Sequence, residues 1–371
     1  MVCIQITIPD VENKKNEGTL SLPVDLIRIV GIVLVVTLHV SNEYYTAIYQ
    51  TPLDSAAYWW TATIFKSLTL SCIPLFVMLS GALLLQPSKI NEPIRVFLRK
   101  RANRIGWAFA FWSAVYIAWS FYVNQIPVTF YNVIEGTTKS LLTGTWYHFW
   151  FLYLIAGLYL ITPVLRAVVA YKEQNIIKYL IILWFLGVAV APLLQLITGY
   201  SLNNSVFIFG GWIGYFMLGT YLQKKRVRPS ILYGLFLLGL IWTISSTWYM
   251  HFLAHSLEQD YFFLDYLTAN VIVASVAVFM LLSRFKADWP GSNNPRVSQV
   301  AHAISENTLP IYLLHVIILE SLQRGYFGFQ LSLTTMNPVI GVPLITIVTF
   351  FITFGLVLLM KKIPVLKKLI G

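Results

Sequence analysis

The chain has 371 residues, of which 57% are hydrophobic and 11% charged. Soluble domains carry about a quarter charged residues, so the composition excludes one and points to an all-α, polytopic membrane helix bundle. The formal net charge of +11 would suggest nucleic acid in a soluble protein, but here it reflects the basic bias of cytoplasmic connections, and no nucleic-acid partner is expected.

Met1 to Leu20 forms a polar leader, too polar for the apolar core of a signal peptide, and the apolar run after it reads as a retained helix. Runs of spanning length then recur about ten times, at roughly 22–43, 58–85, 104–123, 146–168, 176–198, 205–222, 231–251, 264–284, 307–326 and 338–360. The strict alternation of a membrane β-barrel is absent. Lys and Arg collect in alternate connections, such as Arg95 to Arg104, Lys224 to Arg228 and the tail from Lys361 to Lys368, whereas Asp54, Glu135, Glu258 and Asp265 fall between them. This alternation predicts ten transmembrane helices, both termini cytoplasmic, and one integral-membrane domain over 1–371 with a cytoplasmic leader over 1–20. The inner connections near 86–103 and 285–306 read as short amphipathic or re-entrant pieces. Cys3 and Cys72 lie too far apart in character to suggest a disulfide.

The first run carries Asp25, Arg28, His39, Asn42 and Glu43. Arg28 and His39 are eleven positions apart; at about 100° and 1.5 Å per residue they share a helix face, about 16 Å apart. Ionisable groups in a membrane helix are expensive in lipid, so both are expected to look into one polar interior. Arg28 suits a phosphate or carboxylate, with Asp25 orienting it; His39 suits a general base or acid. The plainer alternatives are a snorkelling Arg28 and a His39 that bonds a neighbouring helix.

Further along, Arg101 and Arg104 stand at i and i+3, neighbours on one helix face able to clamp a phosphorylated group; a topogenic cluster on anionic lipid is the alternative. Ser80-Gly81 permits close helix approach. Trp146-Tyr-His148-Phe-Trp150 is either an aromatic belt or a stacking platform for a glycan, with His148 donating to hydroxyls and Glu43 at the same outer end. Tyr312 and His315 lie one turn apart within the ninth run, His315 needing a partner, perhaps from helix one. Lys66 and Glu320 fall inside spans and would pair or gate. Gly210-x-x-x-Gly214 reads as a packing surface. His251 and His255 have i, i+4 spacing but lack a second ligand pair, so no metal is expected.

Four pieces taken together resemble the membrane acyltransferase-3 family: Asp25-Leu-Ile-Arg28 with His39, Phe76-Val-Met-Leu-Ser80-Gly81, Arg101-Ala-Asn-Arg104, and Ile311-Tyr312-Leu-Leu-His315. Leu75-Phe76 stands where many members have a doubled Phe. The stretch from Trp146 to Pro163 resembles the surface-polysaccharide branch, which includes the enterobacterial common antigen O-acetyltransferase. The resemblance implies a bacterial inner-membrane enzyme that moves an acyl group, usually acetyl, from cytoplasmic acyl-CoA to a hydroxyl of an envelope glycan or glycolipid. It implies Arg28, Arg101 and Arg104, with Asp25, at the acyl-CoA. It further implies His39 at the reacting centre; the residues themselves suggest His315 or Asn42 as its helper and His148, Trp146 and Glu43 at the acceptor. Membrane lipids are the expected surroundings, and a homo-oligomer stays open. A transporter or flippase of a polar lipid-linked or sugar intermediate is the rival reading; it would call for broken helices with inverted-repeat symmetry, which the sequence does not display.

Overall fold

The computed structural model describes residues 23–50, 56–171, 174–200, 211–223, 225–254, 261–285, 293–333 and 336–371, and the backbone alone for 43–50, 56, 57, 141 and 174. The leader, Gly210, His255, Glu258 and the side chain of Glu43 lie outside that description. Among the described residues the chain is mostly helical, with no strand. Seven helical stretches are long and apolar enough to cross a membrane. The protein is an all-α polytopic membrane bundle.

The helices are α1 (Val24–Gln50), α2 (Ala56–Thr69), α3 (Cys72–Leu84), α4 (Ile94–Val123), α5 (Phe130–Thr143), α6 (Trp150–Ala170), α7 (Gln174–Phe185), α8 (Ala191–Thr198), α9 (Ile213–Leu222), α10 (Pro229–Phe252), α11 (Ala269–Ser283), α12 (Pro295–Glu306), α13 (Thr308–Gln323), α14 (Pro338–Met360) and α15 (Pro364–Leu369). A π-helical turn, Leu186–Val190, joins α7 to α8. The second apolar run is interrupted at Leu70–Ser71, where α2 ends and α3 begins. Pro74 in the first turn of α3 has no N–H to continue the ladder, and the next residue, Leu75, resumes it by donating to Ser71 O at 3.0 Å. The Arg cluster is helical: α4 starts at Ile94, ten residues before the expected span. The connection before the ninth apolar run contains α12, capped by Asn294, whose side chain accepts from Arg296 N and Val297 N. The connection after α4 holds α5, opened by Thr129, whose hydroxyl accepts from Asn132 N at 3.2 Å.

α1 lies at the centre, packed against α2, α3, α12, α13 and α14. Between helices in lipid the hydrophobic effect offers little drive, and close backbone approach through small residues does more of the work. α3 and α9 illustrate this reciprocally. A Cβ on Gly81 would strike the backbone of Phe216, and one on Gly219 would strike the backbone of Met78. Thr220 Oγ1 donates to Gly81 O at 3.0 Å, locking the register. Gly214 makes room for the Trp184 ring, whose Nε1 donates to Gly211 O at 2.6 Å.

Candidate functional site

At the basic end of the bundle, α1, α3, α4, α6 and α13 enclose a cavity of about 300 Å³. Arg28, Lys89, Arg101 and Arg104 all line it, and no acidic side chain does. Its walls are apolar, including Leu83, Ile105 and Ile155, and the hydroxyls of Ser80 and Thr308 are the neutral polar groups among them, with Tyr159. Arg28 Nη1 donates to Ser305 Oγ at 3.4 Å, and Lys89 Nζ to Leu83 O at 2.6 Å. Burial, then the guanidinium groups of Arg101 and Arg166, push the Lys89 ammonium below its ordinary pKa, against the opposing pull of Glu92. Lys361 is shifted the same way by burial, with Glu306 opposing and Arg104 and Lys367 adding to it. Crowded cations that depress one another in this way would be relieved by a polyanion.

The cations are held from outside the cavity. Phe97 lies beneath two guanidinium groups, Arg166 at 4.4 Å and Arg101 at 5.5 Å from the ring centre. Arg166 is buried, donates from Nε to Leu84 O at 2.8 Å and pairs with Glu92 at 3.1 Å. The Nε of Arg101 is buried with no hydrogen-bond partner among the described residues. Asp25, one turn from Arg28 on α1, also meets α12: its carboxylate lies 3.2 Å from His302, and His302 in turn lies 3.2 Å from Glu306.

Deeper in, three imidazoles converge from three elements. His39 of α1 lies 5.1 Å from His315 of α13 and 6.4 Å from His148 in the turn before α6, and His148 lies 5.8 Å from His315, ring centre to ring centre. His315 Nδ1 sits 2.7 Å from Tyr312 O. A carbonyl can only accept, so Nδ1 carries the proton and Nε2 is left with its lone pair, a tautomer assigned from this geometry. The Tyr312 hydroxyl donates to the backbone carbonyl of His148, and Tyr116 donates to Leu313 O at 2.7 Å. His315 is 0% and His148 1% exposed, whereas His39 keeps appreciable accessible surface. Of the three imidazoles, His39 is the one with accessible surface. The buried nitrogens of His148 and Nε2 of His315 have no hydrogen-bond partner among the described residues.

His39 is not among the residues lining the cationic cavity. Phe76 and Phe151, whose rings are 6.2 Å apart, line the cavity on the side toward Tyr312, which lies 5.3 Å from Phe151 and 5.4 Å from His148.

An acyltransferase domain of the acyltransferase-3 family matches residues 23–359, nearly the whole chain. The chain belongs to the acyltransferase-3 family. No curated protein and no solved structure matches it. Membership of this family and the apolar helices together make the chain a multi-pass membrane acyltransferase.

On this acyltransferase-3 scaffold the sequence-derived residues fall into two groups and a remainder. Arg28, Arg101 and Arg104 gather at the cavity, joined by Lys89, which the sequence did not mark out. His39, His148 and His315 gather at the cluster, joined by Tyr147, whose ring lies 5.2 Å from His39 and is 54% exposed. His148 is turned inward and is not part of an exposed platform. Trp146 is also committed: its Nε1 donates to Glu320 Oε1 at 2.9 Å. Asn42 is taken by Lys66, whose Nζ donates to its Oδ1 at 3.1 Å. Lys66 and Glu320 thus each engage other residues in place of the expected mutual contact.

Proposed function

We propose that the protein is an integral-membrane O-acyltransferase of the bacterial inner membrane. In this reading it moves an acyl group, usually acetyl, from cytoplasmic acyl-CoA to a hydroxyl of a cell-envelope polysaccharide or glycolipid. The observation that carries the reading is the adjacency of a four-cation, apolar-walled cavity and a three-histidine cluster. A nucleotide polyphosphate joined to a slender apolar arm fits the first, and proton transfer at a thioester fits the second.

In this mechanism Arg28, Lys89, Arg101 and Arg104 hold the donor phosphates through charge-assisted hydrogen bonds. The pantetheine arm lies along Leu83, Ile105 and Ile155, and the thioester reaches His39 once the Phe76 ring swings aside. His39 accepts the proton of the acceptor hydroxyl as that oxygen attacks the thioester carbon. The C–O bond forms, the C–S bond breaks, and the CoA thiolate leaves with the proton held by His39. The lone pair on His315 Nε2 suits it to accept from the far N–H of His39, orienting the base as a third group does in nucleophile–base systems. Tyr147 offers the acceptor a ring beside His39. Family membership favours group transfer over the transport reading.

The test is transfer of label from acetyl-CoA to membrane glycan in inverted vesicles. His39→Ala is expected to lower turnover by about 10²–10⁴-fold with donor affinity retained. Turnover close to wild type would remove His39 from the chemistry. Glycan analysis of a deletion strain would name the acceptor by the ester it lacks.

A further inference from the structure

Glu320 is a carboxyl group inside α13, on the far side of His315 from the cationic cavity, and no step above uses it. Ionisable groups within membrane helices are costly and are retained where they do something. Both of its oxygens accept from indoles: Oε2 from Trp119 Nε1 of α4 at 2.7 Å, and Oε1 from Trp146 Nε1 at 2.9 Å. An acceptor-only group flanked by two donors is fully matched, which fits a carboxylate. Trp146 stands two residues before His148 in the turn 145–149 that leads into α6. Its ring lies 5.6 Å from that of Tyr116, which itself sits 5.1 Å from His148. The same turn is held at a second point by α13, where the Tyr312 hydroxyl meets the His148 carbonyl.

We propose that Glu320 is a positioning residue that acts through Trp146: with Tyr312 it clamps the turn bearing His148 to α13, the helix that carries His315, and so fixes the spacing of His148 to His315 and His39. A helix and a turn joined at one point can pivot about it; joined at two, they cannot. The two contacts straddle His315 along α13, so the imidazole spacing follows from the helix geometry. The bond to Trp119 anchors the carboxyl group to α4 and leaves the turn untouched. The inference rests on the reading of the histidine cluster as the reaction centre.

The two indoles make the test. Trp146→Phe and Trp119→Phe each remove one hydrogen bond from the same carboxyl group, so a merely structural role predicts like effects. Positioning predicts unlike ones. In the acetyl-CoA vesicle assay Trp146→Phe is expected to lower kcat at least about tenfold with KM for acetyl-CoA unchanged, because small misplacements of reacting groups are expensive in rate. Trp119→Phe is expected to stay within about threefold of wild type. Glu320→Leu should behave like Trp146→Phe, and Glu320→Gln, which keeps an acceptor oxygen for Trp146, should recover most of the rate. Should Glu320→Leu fail to fold, the two Phe variants still decide. Equal losses in them at equal thermal stability, or a fall in donor affinity with kcat intact, would overturn the proposal. His148→Ala separates the failures. Wild-type turnover in that variant removes the reading of the cluster and this inference with it, whereas an inactive His148→Ala beside a wild-type Trp146→Phe removes this inference alone.

Discussion

The ring of Phe76 lies against Gly31 on α1, at a level between Arg28 and His39. A Cβ on Gly31 would come within 2.9 Å of Phe76 Cε2 and 3.0 Å of Cζ. The absent side chain gives the ring its berth beside the helix that joins the two candidate groups.

Widening or blocking that berth should alter turnover more than donor binding. Phe76→Trp is expected to cut kcat at least about tenfold, because the ring is already pressed against α1 at Gly31 and a larger one cannot move aside in that direction, while acetyl-CoA still raises the melting temperature of the detergent-solubilised protein. Gly31→Ala, which forces Phe76 to shift by a few tenths of an ångström, should change kcat in the same assay. Loss of acetyl-CoA stabilisation in Phe76→Trp would place the ring inside the binding site and not beyond it.

The cations at the cavity should act on donor affinity. Hydrogen bonds to charged groups are worth about 1.5–3 kcal/mol each, so Arg104→Ala or Lys89→Met should raise KM for acetyl-CoA roughly tenfold or more, with kcat within about twofold. Titration with dephospho-CoA and with rising salt locates the effect: the variants should show a shallower salt dependence than wild type. An unchanged KM in all of them would empty the cavity of its assigned role.

His315→Asn should lower kcat while leaving the protein folded and the donor bound. The expected loss is about 10–10²-fold, below that of His39→Ala, since His315 orients a base and is not the base. A larger loss from His315 than from His39 would exchange their roles.

Glu92 gives the protein a pH-dependent increment of stability. Burial alone would raise its pKa, but hydrogen bonds from Lys100 and Arg166 outweigh it and hold the carboxylate below the usual range. A folded pKa below the unfolded one means that the stabilisation is complete above the unfolded pKa and disappears as pH falls through the folded value. The Arg166 bond dominates, because Lys100 is largely exposed and screened. Glu92→Gln should therefore lower stability by about 1–3 kcal/mol at neutral pH, read as a lower melting temperature. The gap should close as the pH falls below the carboxylate range; a constant gap would mean that Glu92 stabilises by packing.

Gly81→Ala and Gly219→Ala should each prevent accumulation of monodisperse protein, because the new methyl group meets backbone, which cannot rotate away. Normal elution of either variant in size-exclusion chromatography would contradict the packing of α3 on α9.

What the sequence disclosed depended on how local the signal was. α14 was delimited at 338–360 because an apolar run lies between Pro338 and the paired Lys361 and Lys362. The close approach at Gly81 was legible for the same reason: a small residue in an apolar run has few other uses. The interruption at Leu70–Ser71 was not, since neither residue breaks a helix by itself and hydropathy runs smoothly across it. α5 was hidden in a connection too polar to register as a span. The pairing of Asp25 with His302, and the inward turn of His148, depend on contacts between residues far apart in sequence, to which periodicity is blind. The part that Phe76 of α3 and Phe151 of α6 take in lining the cavity was likewise hidden, because it depends on how α3 and α6 pack.

Phe97 is shared by Arg101, which faces the cavity, and Arg166, which is fastened to Glu92 and Leu84. The direction in which a ligand-facing charge points is thus inherited from a neighbour that never meets the ligand. Under the proposed role of the cavity, any attempt to toughen the protein by redesigning the Arg166 corner would retune its appetite for donor at the same stroke, and a screen for one trait would select the other unawares.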